Sequence, residues 1–202
     1  MNLQKTMQSL QKNGYLVSYF SCRQAAVDYL DSQFDQQTIG FGGSTTLRQI
    51  KLYQRLSTHN IVFDPDQYTP EEDFISIAQK CRNTKYYICS ANALTEDGVI
   101  VNLDHTGNRI SNSLFGPQKV YFIIGINKVV KNLDQAIWRV RNVAAPKNAI
   151  RLHLKTPCAL AGGDKCYDCN SPDRICRGLI IHLKKMASIE MEIILIGEPL
   201  GF

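Results

Sequence analysis

The longest unbroken apolar run of the sequence is VYFIIGI, at residues 120–126. A strand that is apolar on both faces is typical of the centre of a parallel sheet that helices cover on both sides. A membrane-spanning helix needs about 20 apolar residues, so this run does not predict one. We therefore expect residues 120–125 to form the central strand of a buried parallel sheet.

Strand and helix signals alternate along most of the 202 residues. Further strands are predicted at residues 38–41, 61–63 and 85–90, and the segments between them space their apolar residues as amphipathic helices do. No repeat, low-complexity tract or long linker divides the chain. We therefore expect one domain, residues 1–202, with a three-layer α/β fold in which helices flank a mostly parallel sheet.

Local signals predict two helix boundaries and the arrangement of the last strands. A helix is predicted over residues 69–82, where a threonine, a proline and two acidic residues form a typical first turn. Another is predicted over residues 132–145, with Pro146 ending it because proline lacks the backbone N–H. The apolar runs 179–183 and 189–196 predict a C-terminal strand hairpin.

Charge is unevenly distributed along the sequence, whose net charge is +5. Residues 119–155 contain eight lysines and arginines but one acidic residue. Solvated helix faces and small-anion sites both collect such charge, and both interpretations stay open. The sequence has no RNP pattern, helix-turn-helix signal or basic tail, so no nucleic-acid partner is expected. Because it also has no hydrophobic signal region and no membrane span, we expect a cytoplasmic protein.

A glycine-rich turn connects the predicted strand 38–41 to the following helix. Small residues there let a ligand approach the backbone, and the free N–H groups of a helix start favour an anion. The alternative is a tight turn whose serine only caps the helix. Neither GxxxxGK nor GxGxxG is present, so the turn is not a nucleotide-cofactor motif. The candidate ligand-binding residues of this turn are Gly42, Gly43, Ser44 and Thr45.

Residues 102–109 combine a carboxylate, an imidazole, amides and a guanidinium between a predicted strand and a predicted helix. Asp104 or His105 can move a proton, and Arg109 can pair with a carboxylate or phosphate through two parallel hydrogen bonds. The alternative is a turn rich in Asx residues. Lys128 follows the central strand closely, so it either meets an anion at the ligand-bearing edge of the sheet or belongs to an ordinary loop.

Four of the seven cysteines lie within nineteen residues. They are Cys158, Cys166, Cys169 and Cys176, inside a cysteine-rich segment at residues 155–178. Four thiolates favour zinc or an iron–sulfur cluster over hard cations, but their spacing matches neither a bacterial ferredoxin run nor a common zinc ribbon. Structural zinc, an iron–sulfur cluster, redox thiols or a disulfide, and no metal at all are the open interpretations.

Five segments of the sequence, taken together, resemble one known family. They are IGFGGSTTL, SANALTEDGVIVNLDHTGNRI, FGPQKVYFIIGINKVV, RVRNVAAPKNA, and LKTPC with CYDCNSPDRIC. Their order resembles that of LUD-domain proteins of the LutC/YkgG lactate-utilisation family, over nearly the whole chain. The resemblance implies a NagB/RpiA/CoA-transferase-like α/β fold.

The same resemblance implies a cleft between the glycine-rich turn and a second ligand-facing stretch. That stretch matches Asn92, Asn102, Asp104, Gly107, Asn108 and Arg109 in this sequence. No residue here matches the catalytic acid of the superfamily's sugar-phosphate isomerases or the covalent glutamate of its CoA transferases. The reaction type therefore does not carry over.

The resemblance further implies a role in the oxidation of L-lactate to pyruvate, with partner subunits that carry iron–sulfur centres. Our leading hypothesis is a protein that binds a small anionic metabolite in a cleft at the strand ends. The alternative is a metal-bearing interaction or electron-transfer module without catalysis of its own. The sequence leaves open whether the chain is itself an enzyme and whether it forms a homo-oligomer.

Overall fold

The computed structural model describes residues 2–202, which form two β-sheets. The strands are β1 (Leu16–Phe20), β2 (Thr38–Phe41), β3 (Ile61–Phe63), β4 (Tyr86–Cys89), β5 (Ala93–Thr95), β6 (Ile100–Asp104), β7 (Lys119–Gly125), β8 (Val129–Val130), β9 (Gly178–His182) and β10 (Glu190–Ile196). The larger sheet has six parallel strands in the order β1-β10-β7-β4-β2-β3. The apolar run forms β7, near the centre of this sheet, as predicted.

Helices cover the six-stranded sheet on both faces. The helices of the described residues are α1 (Leu3–Lys12), α2 (Arg23–Ser32), α3 (Thr45–Gln49), α4 (Leu52–Leu56), α5 (Phe74–Arg82), α6 (Asn108–Leu114), α7 (Leu133–Arg139), α8 (Ala145–Arg151) and α9 (Pro157–Leu160), with 3₁₀ turns at Pro65–Gln67 and Ile126–Lys128 and a π-helical turn at Val140–Ala144. One face packs against α2, α3 and α4, and the other against α1, α5 and the smaller sheet. None of the helices within residues 2–202 has the length and apolar character needed to cross a membrane.

The smaller sheet has four strands in the order β8-β5-β6-β9. Strands β5 and β6 form an antiparallel hairpin around the turn at Asp97-Gly98, and β9 pairs with β6 in antiparallel orientation. The far side of this sheet packs against Ala136 of α7 and Val140 of the π-helical turn that follows it. The fold is therefore α/β with a mostly parallel sheet flanked by helices, as predicted, and it adds a second sheet that the sequence patterns did not separate.

The predicted C-terminal hairpin is wrong. Its first strand, β9, joins the smaller sheet, whereas its second strand, β10, lies between β1 and β7 in the larger one. The physical reason is burial on both faces: Ile193 and Ile194 project to opposite sides of β10, and both are fully buried. Only an inner strand of a sheet covered on both sides provides that environment.

Both predicted helix boundaries also differ from the structure. Helix α5 begins only at Phe74, because Asp73 caps it by accepting the Ser76 N–H at 2.7 Å. Thr69 instead closes a separate turn, where its hydroxyl accepts two backbone N–H groups at 3.3 Å. Pro146 does not end the helix predicted over residues 132–145, since the wider π-helical turn precedes it and α8 continues to Arg151.

Candidate functional site

A cavity of about 910 Å³ lies at the carboxyl ends of the parallel strands, where open α/β sheets bind their ligands. The loops after β2, β4 and β7 contribute to this strand-end cavity from the sheet, and α8 and the loops after β3 and β6 contribute its walls. Nine residues singled out from the sequence line it: Gly43, Ser44, Thr45, Asn92, Asp104, His105, Asn108, Arg109 and Lys128. The two separate polar segments of the sequence therefore meet.

Three other predicted ligand-binding residues lie behind this lining. A Cβ atom at Gly42 would lie 2.5 Å from Tyr87 Oη, so close packing requires glycine there. Asn102 is fully buried, and its Oδ1 accepts the Asn92 N–H at 2.9 Å. Gly107 precedes α6 with a φ of 88°, which glycine adopts readily. These residues hold the backbone of the site in place.

The glycine-rich turn caps a helix and also lines the strand-end cavity. Ser44 caps α3, because its hydroxyl accepts the Leu47 N–H at 3.4 Å. Thr45 Oγ1 accepts a hydrogen bond from Arg48 Nη2 at 3.0 Å. Both side chains line the strand-end cavity while they stabilise the helix start.

Lys128 is buried beside the cavity and forms no ion pair with an Asp or Glu of residues 2–202. The residue is 3% exposed, and its Nζ donates hydrogen bonds to Thr46 Oγ1 at 2.8 Å and Ser90 Oγ at 2.9 Å. Burial, followed by the charges of Arg139 and Arg109, lowers the pKa of this amine from 10.5 to about 7. Near neutral pH the amine is therefore divided between its charged and neutral forms.

Residues 200–202 cover one side of Lys128. Gly201 has a φ of 68°, and a Cβ atom on it would lie 2.8 Å from Lys128 Nζ and collide with the Thr46 hydroxyl. Its N–H donates to Gln49 Oε1 at 2.7 Å, which fixes the segment against the end of α3. Access to the amine is therefore from the strand-end cavity, which Lys128 lines.

Arg109 and Asp104 bind each other across the polar loop. Arg109 Nη2 donates to Asp104 Oδ1 at 3.2 Å, to Asn92 Oδ1 at 3.1 Å and to the Leu103 carbonyl at 2.8 Å. Arg109 Nε and Asp104 Oδ2 are buried and have no hydrogen-bond partner among the described residues. His105 is exposed at the rim. The Asp104 carboxylate thus partly neutralises Arg109 inside the protein.

Several polar residues of the site were not among the candidate site residues chosen from the sequence. They are Thr46, Ser90, Arg139 and Arg151. Ser90 follows β4 directly, so the rule that ligands meet strand ends was sufficient to find it. Arg139 donates a hydrogen bond to the Asn92 carbonyl oxygen, and burial lowers its pKa. No local signal marks it, because only the tertiary fold brings α7 to this loop.

The basic block at residues 119–155 does not form one surface. Lys119 lies at the opposite end of β7 and pairs with two glutamates of β10. Arg141 pairs with Asp168 of the cysteine-rich segment at 2.7 Å. Lys128 and Arg151 line the strand-end cavity. The excess charge that the sequence showed therefore contributes partly to the cavity and partly to structural ion pairs.

Comparison with known protein families identifies the domain. The model of the LUD domain matches residues 3–196 of the sequence. The chain belongs to the LUD-domain family. The match extends from α1 to the end of β10, so it includes both sheets and the residues around Lys128. The sequence-based resemblance is confirmed for the LUD domain itself.

A solved structure is similar to this LUD-domain protein over nearly its full length. It is the crystal structure of a DUF162 family protein from Deinococcus radiodurans, with 9% sequence identity and a TM-score of 0.55. The alignment covers 96% of this chain and 95% of that chain. At this identity the likeness shows a common fold. Among curated proteins, none matches the chain.

The cysteine-rich segment of this LUD-domain protein is held by an arginine. Arg174 Nη1 donates to the Cys169 carbonyl at 2.6 Å, and its Nε donates to the Cys176 carbonyl at 3.0 Å. None of the seven cysteines forms a disulfide bond. Within residues 2–202, no group of three or more His, Cys, Asp or Glu side chains is placed to hold a metal ion. As placed, the four thiols do not fit a metal centre, and the zinc and iron–sulfur interpretations stay predictions.

Proposed function

We propose that this LUD-domain protein binds a small anionic metabolite in the strand-end cavity, with the Lys128 amine as its main cationic partner. The burial of Lys128 without an acidic partner is the observation that carries the proposal. A buried charge costs several kcal/mol unless an opposite charge pairs with it. An anion beside Nζ provides that partner, so the protonated amine and the bound anion stabilise each other.

The remaining charges of the cavity also favour an anion. Its lysine and arginines are Arg48, Arg109, Lys128 and Arg151. Asp66 pairs with the first of these at 3.7 Å, and Asp104 pairs with the second at 3.2 Å. Lys128 and Arg151 form no ion pair with an Asp or Glu in the described part of the chain. A third carboxylate, Asp173, accepts a backbone N–H.

Membership of the LUD-domain family extends the proposal to lactate utilisation. We propose a part in the oxidation of L-lactate to pyruvate, in which partner subunits carry the iron–sulfur centres. Lactate and pyruvate are small carboxylates, the class of ligand that an unpaired buried amine attracts. The cavity, at about 910 Å³, is large enough for bulkier anions as well. Sugar phosphates and CoA therefore belong in the same test.

Isothermal titration calorimetry tests this proposal with lactate, pyruvate, sugar phosphates and CoA. We expect at least one of these anions to bind and Lys128→Met to weaken it by about ten- to a hundredfold, the value of one charge-assisted hydrogen bond. Lys131→Met is the matched control, because Lys131 is exposed near the same strand end. The proposal is wrong if the folded protein binds none of them, or if both variants bind equally well.

A further inference from the structure

The hydrogen bonds around Lys128 leave one position on its nitrogen unused. Ser90 Oγ donates its single hydrogen to the Ile123 carbonyl at 2.6 Å, so it accepts the hydrogen bond from Nζ. Thr46 Oγ1 accepts a second hydrogen bond from Nζ. A neutral amine has two N–H groups, and these two hydroxyls use both. The remaining position on nitrogen then carries a lone pair.

The groups that face Lys128 from neighbouring elements favour this neutral form. Arg139 of α7 and Arg109 of α6 lower the pKa of the amine, and burial lowers it most. The Cys89 thiol at the end of β4 has the opposite effect, but burial raises its own pKa to about 12 and keeps it uncharged. With a pKa of about 7 instead of 10.5, the neutral amine at pH 7 is enriched roughly a thousandfold over an ordinary lysine.

We propose that Lys128 is a nucleophile that forms a Schiff base with an anionic carbonyl compound, of which a 2-oxo acid is the simplest class. The inference rests on the proposed anion site and adds a covalent step to it. Nζ lines the cavity, its two hydrogens are held by hydroxyls, and a buried amine without a carboxylate partner is a recognised form of activated lysine.

The step balances with one proton taken from solvent and needs no oxidant or reductant. The lone pair of Nζ forms a bond to the carbonyl carbon while the carbon–oxygen π pair moves to oxygen. A proton passes from nitrogen to that oxygen and gives a carbinolamine. A proton from solvent then reaches this oxygen, the C–O bond breaks, and the oxygen leaves as water with one former amine hydrogen, so the protonated Schiff base keeps the other hydrogen on its nitrogen. Thr46 Oγ1, 2.8 Å from Nζ, is close enough to relay a proton in these transfers.

The positive charge of the Schiff base explains why we expect the carbonyl compound to carry a carboxylate group. A protonated Schiff base at Nζ is a buried cation, and such a cation is costly without an anion beside it. The carboxylate of a 2-oxo acid lies one bond from the carbonyl carbon, so the ligand brings its own counter-ion. A neutral ketone of the same size leaves the cation unpaired. We therefore expect pyruvate to react and acetone to fail.

Reductive trapping on the full-length protein tests the inference. The protein is incubated at pH 7 with pyruvate, glyoxylate or 2-oxoglutarate and sodium cyanoborohydride, and peptide mass mapping locates the reduced adduct. We expect the adduct on the peptide that contains Lys128, formed at least about tenfold faster than at any other lysine. Acetone should give no selective adduct, Lys128→Met should lose the adduct, and Lys131→Met should keep it.

The outcomes separate this inference from the proposed function. An anion that binds through Lys128 in calorimetry but leaves no selective adduct there refutes the Schiff base and leaves the anion site intact. If no anion binds and no adduct forms, both proposals are refuted. Labelling spread evenly over exposed lysines also counts against a special role for Lys128. Because the mapping uses the unaltered protein, these results do not depend on the folding of a variant.

Discussion

At the scale of single residues, Lys128 links the folding equilibrium to pH. Its amine has a pKa of about 7 in the folded protein and an ordinary value of 10.5 when exposed to water. Between these two values the unfolded chain binds about one more proton than the folded protein at this site. A state that binds fewer protons gains relative stability as the pH rises.

We therefore predict that Lys128 makes a contribution to the free energy of unfolding that increases with pH from about 7 upwards. The difference between the native protein and Lys128→Met should grow in favour of the native protein by up to about 1.4 kcal/mol per pH unit. Urea denaturation of both proteins between pH 7 and 9 measures it. The Cys81 and Cys89 thiols, whose pKa values are raised, lower the stability of both proteins at higher pH. Taking the difference between the two proteins cancels this contribution. A constant difference across this range contradicts the assignment.

At the scale of secondary-structure elements, β10 is the strand that lies in a different sheet position from the one predicted: it pairs with β1 and β7 instead of forming a hairpin with β9. In a hairpin with one solvated face, alternate side chains of the strand would be exposed. In the structure, Ile193 packs into the core beneath α1 and α5, whereas Ile194 packs into the core beneath α2, α3 and α4. The strand therefore joins the two hydrophobic cores of the molecule.

We predict that Ile193→Ala and Ile194→Ala each lower the free energy of unfolding by about 2 to 5 kcal/mol. Both side chains are fully buried, so each truncation leaves a cavity. Ile61→Ala is the matched control, because Ile61 also lies in a parallel strand but is 61% exposed. Urea denaturation monitored by circular dichroism distinguishes them. A small loss in either buried variant would place β10 at a solvated surface.

At the scale of the whole molecule, the strand-end cavity and the cysteine-rich segment are adjacent. Pro172, Asp173 and Ile175 belong to the segment and line the cavity as well. Arg141 and Arg174 both pair with Asp168, which ties the segment to the helix after β8. The segment therefore forms part of the cavity wall.

Thiol reactivity across the molecule tests the metal prediction. Alkylation of chelator-treated protein should modify Cys22 and the four cysteines of the segment quickly, and leave the buried Cys81 and Cys89 unmodified until unfolding. If the segment binds zinc, adding zinc protects its four thiols together while Cys22 stays reactive. Mass spectrometry after timed alkylation measures each site. Unchanged labelling with zinc, together with no metal in protein purified without oxygen, contradicts a metal role.

The parts of this molecule that the sequence predicted are those that local patterns encode. The apolar run of β7 specified a buried parallel strand, and the rule about strand ends placed Lys128 at the cavity. The sequence did not reveal that Arg139 would meet the Asn92 loop, because residues far apart in sequence form that contact. The partner strands of β9 and β10 were missed for a similar reason: two apolar runs close together in sequence favour a hairpin unless burial on both faces is considered.

The π-helical turn at Val140–Ala144 also sets the rotational register of α8. A π turn inserts one residue relative to an α-helix, and each residue of an α-helix corresponds to a rotation of about 100°. Deleting one residue of this turn would rotate α8 about its own axis by that angle. Asn148 and Arg151 would then leave the cavity wall while the strands opposite them keep their places. A single insertion or deletion here would therefore replace the α8 side chains that line the cavity all at once, whereas a substitution changes one side chain at a time.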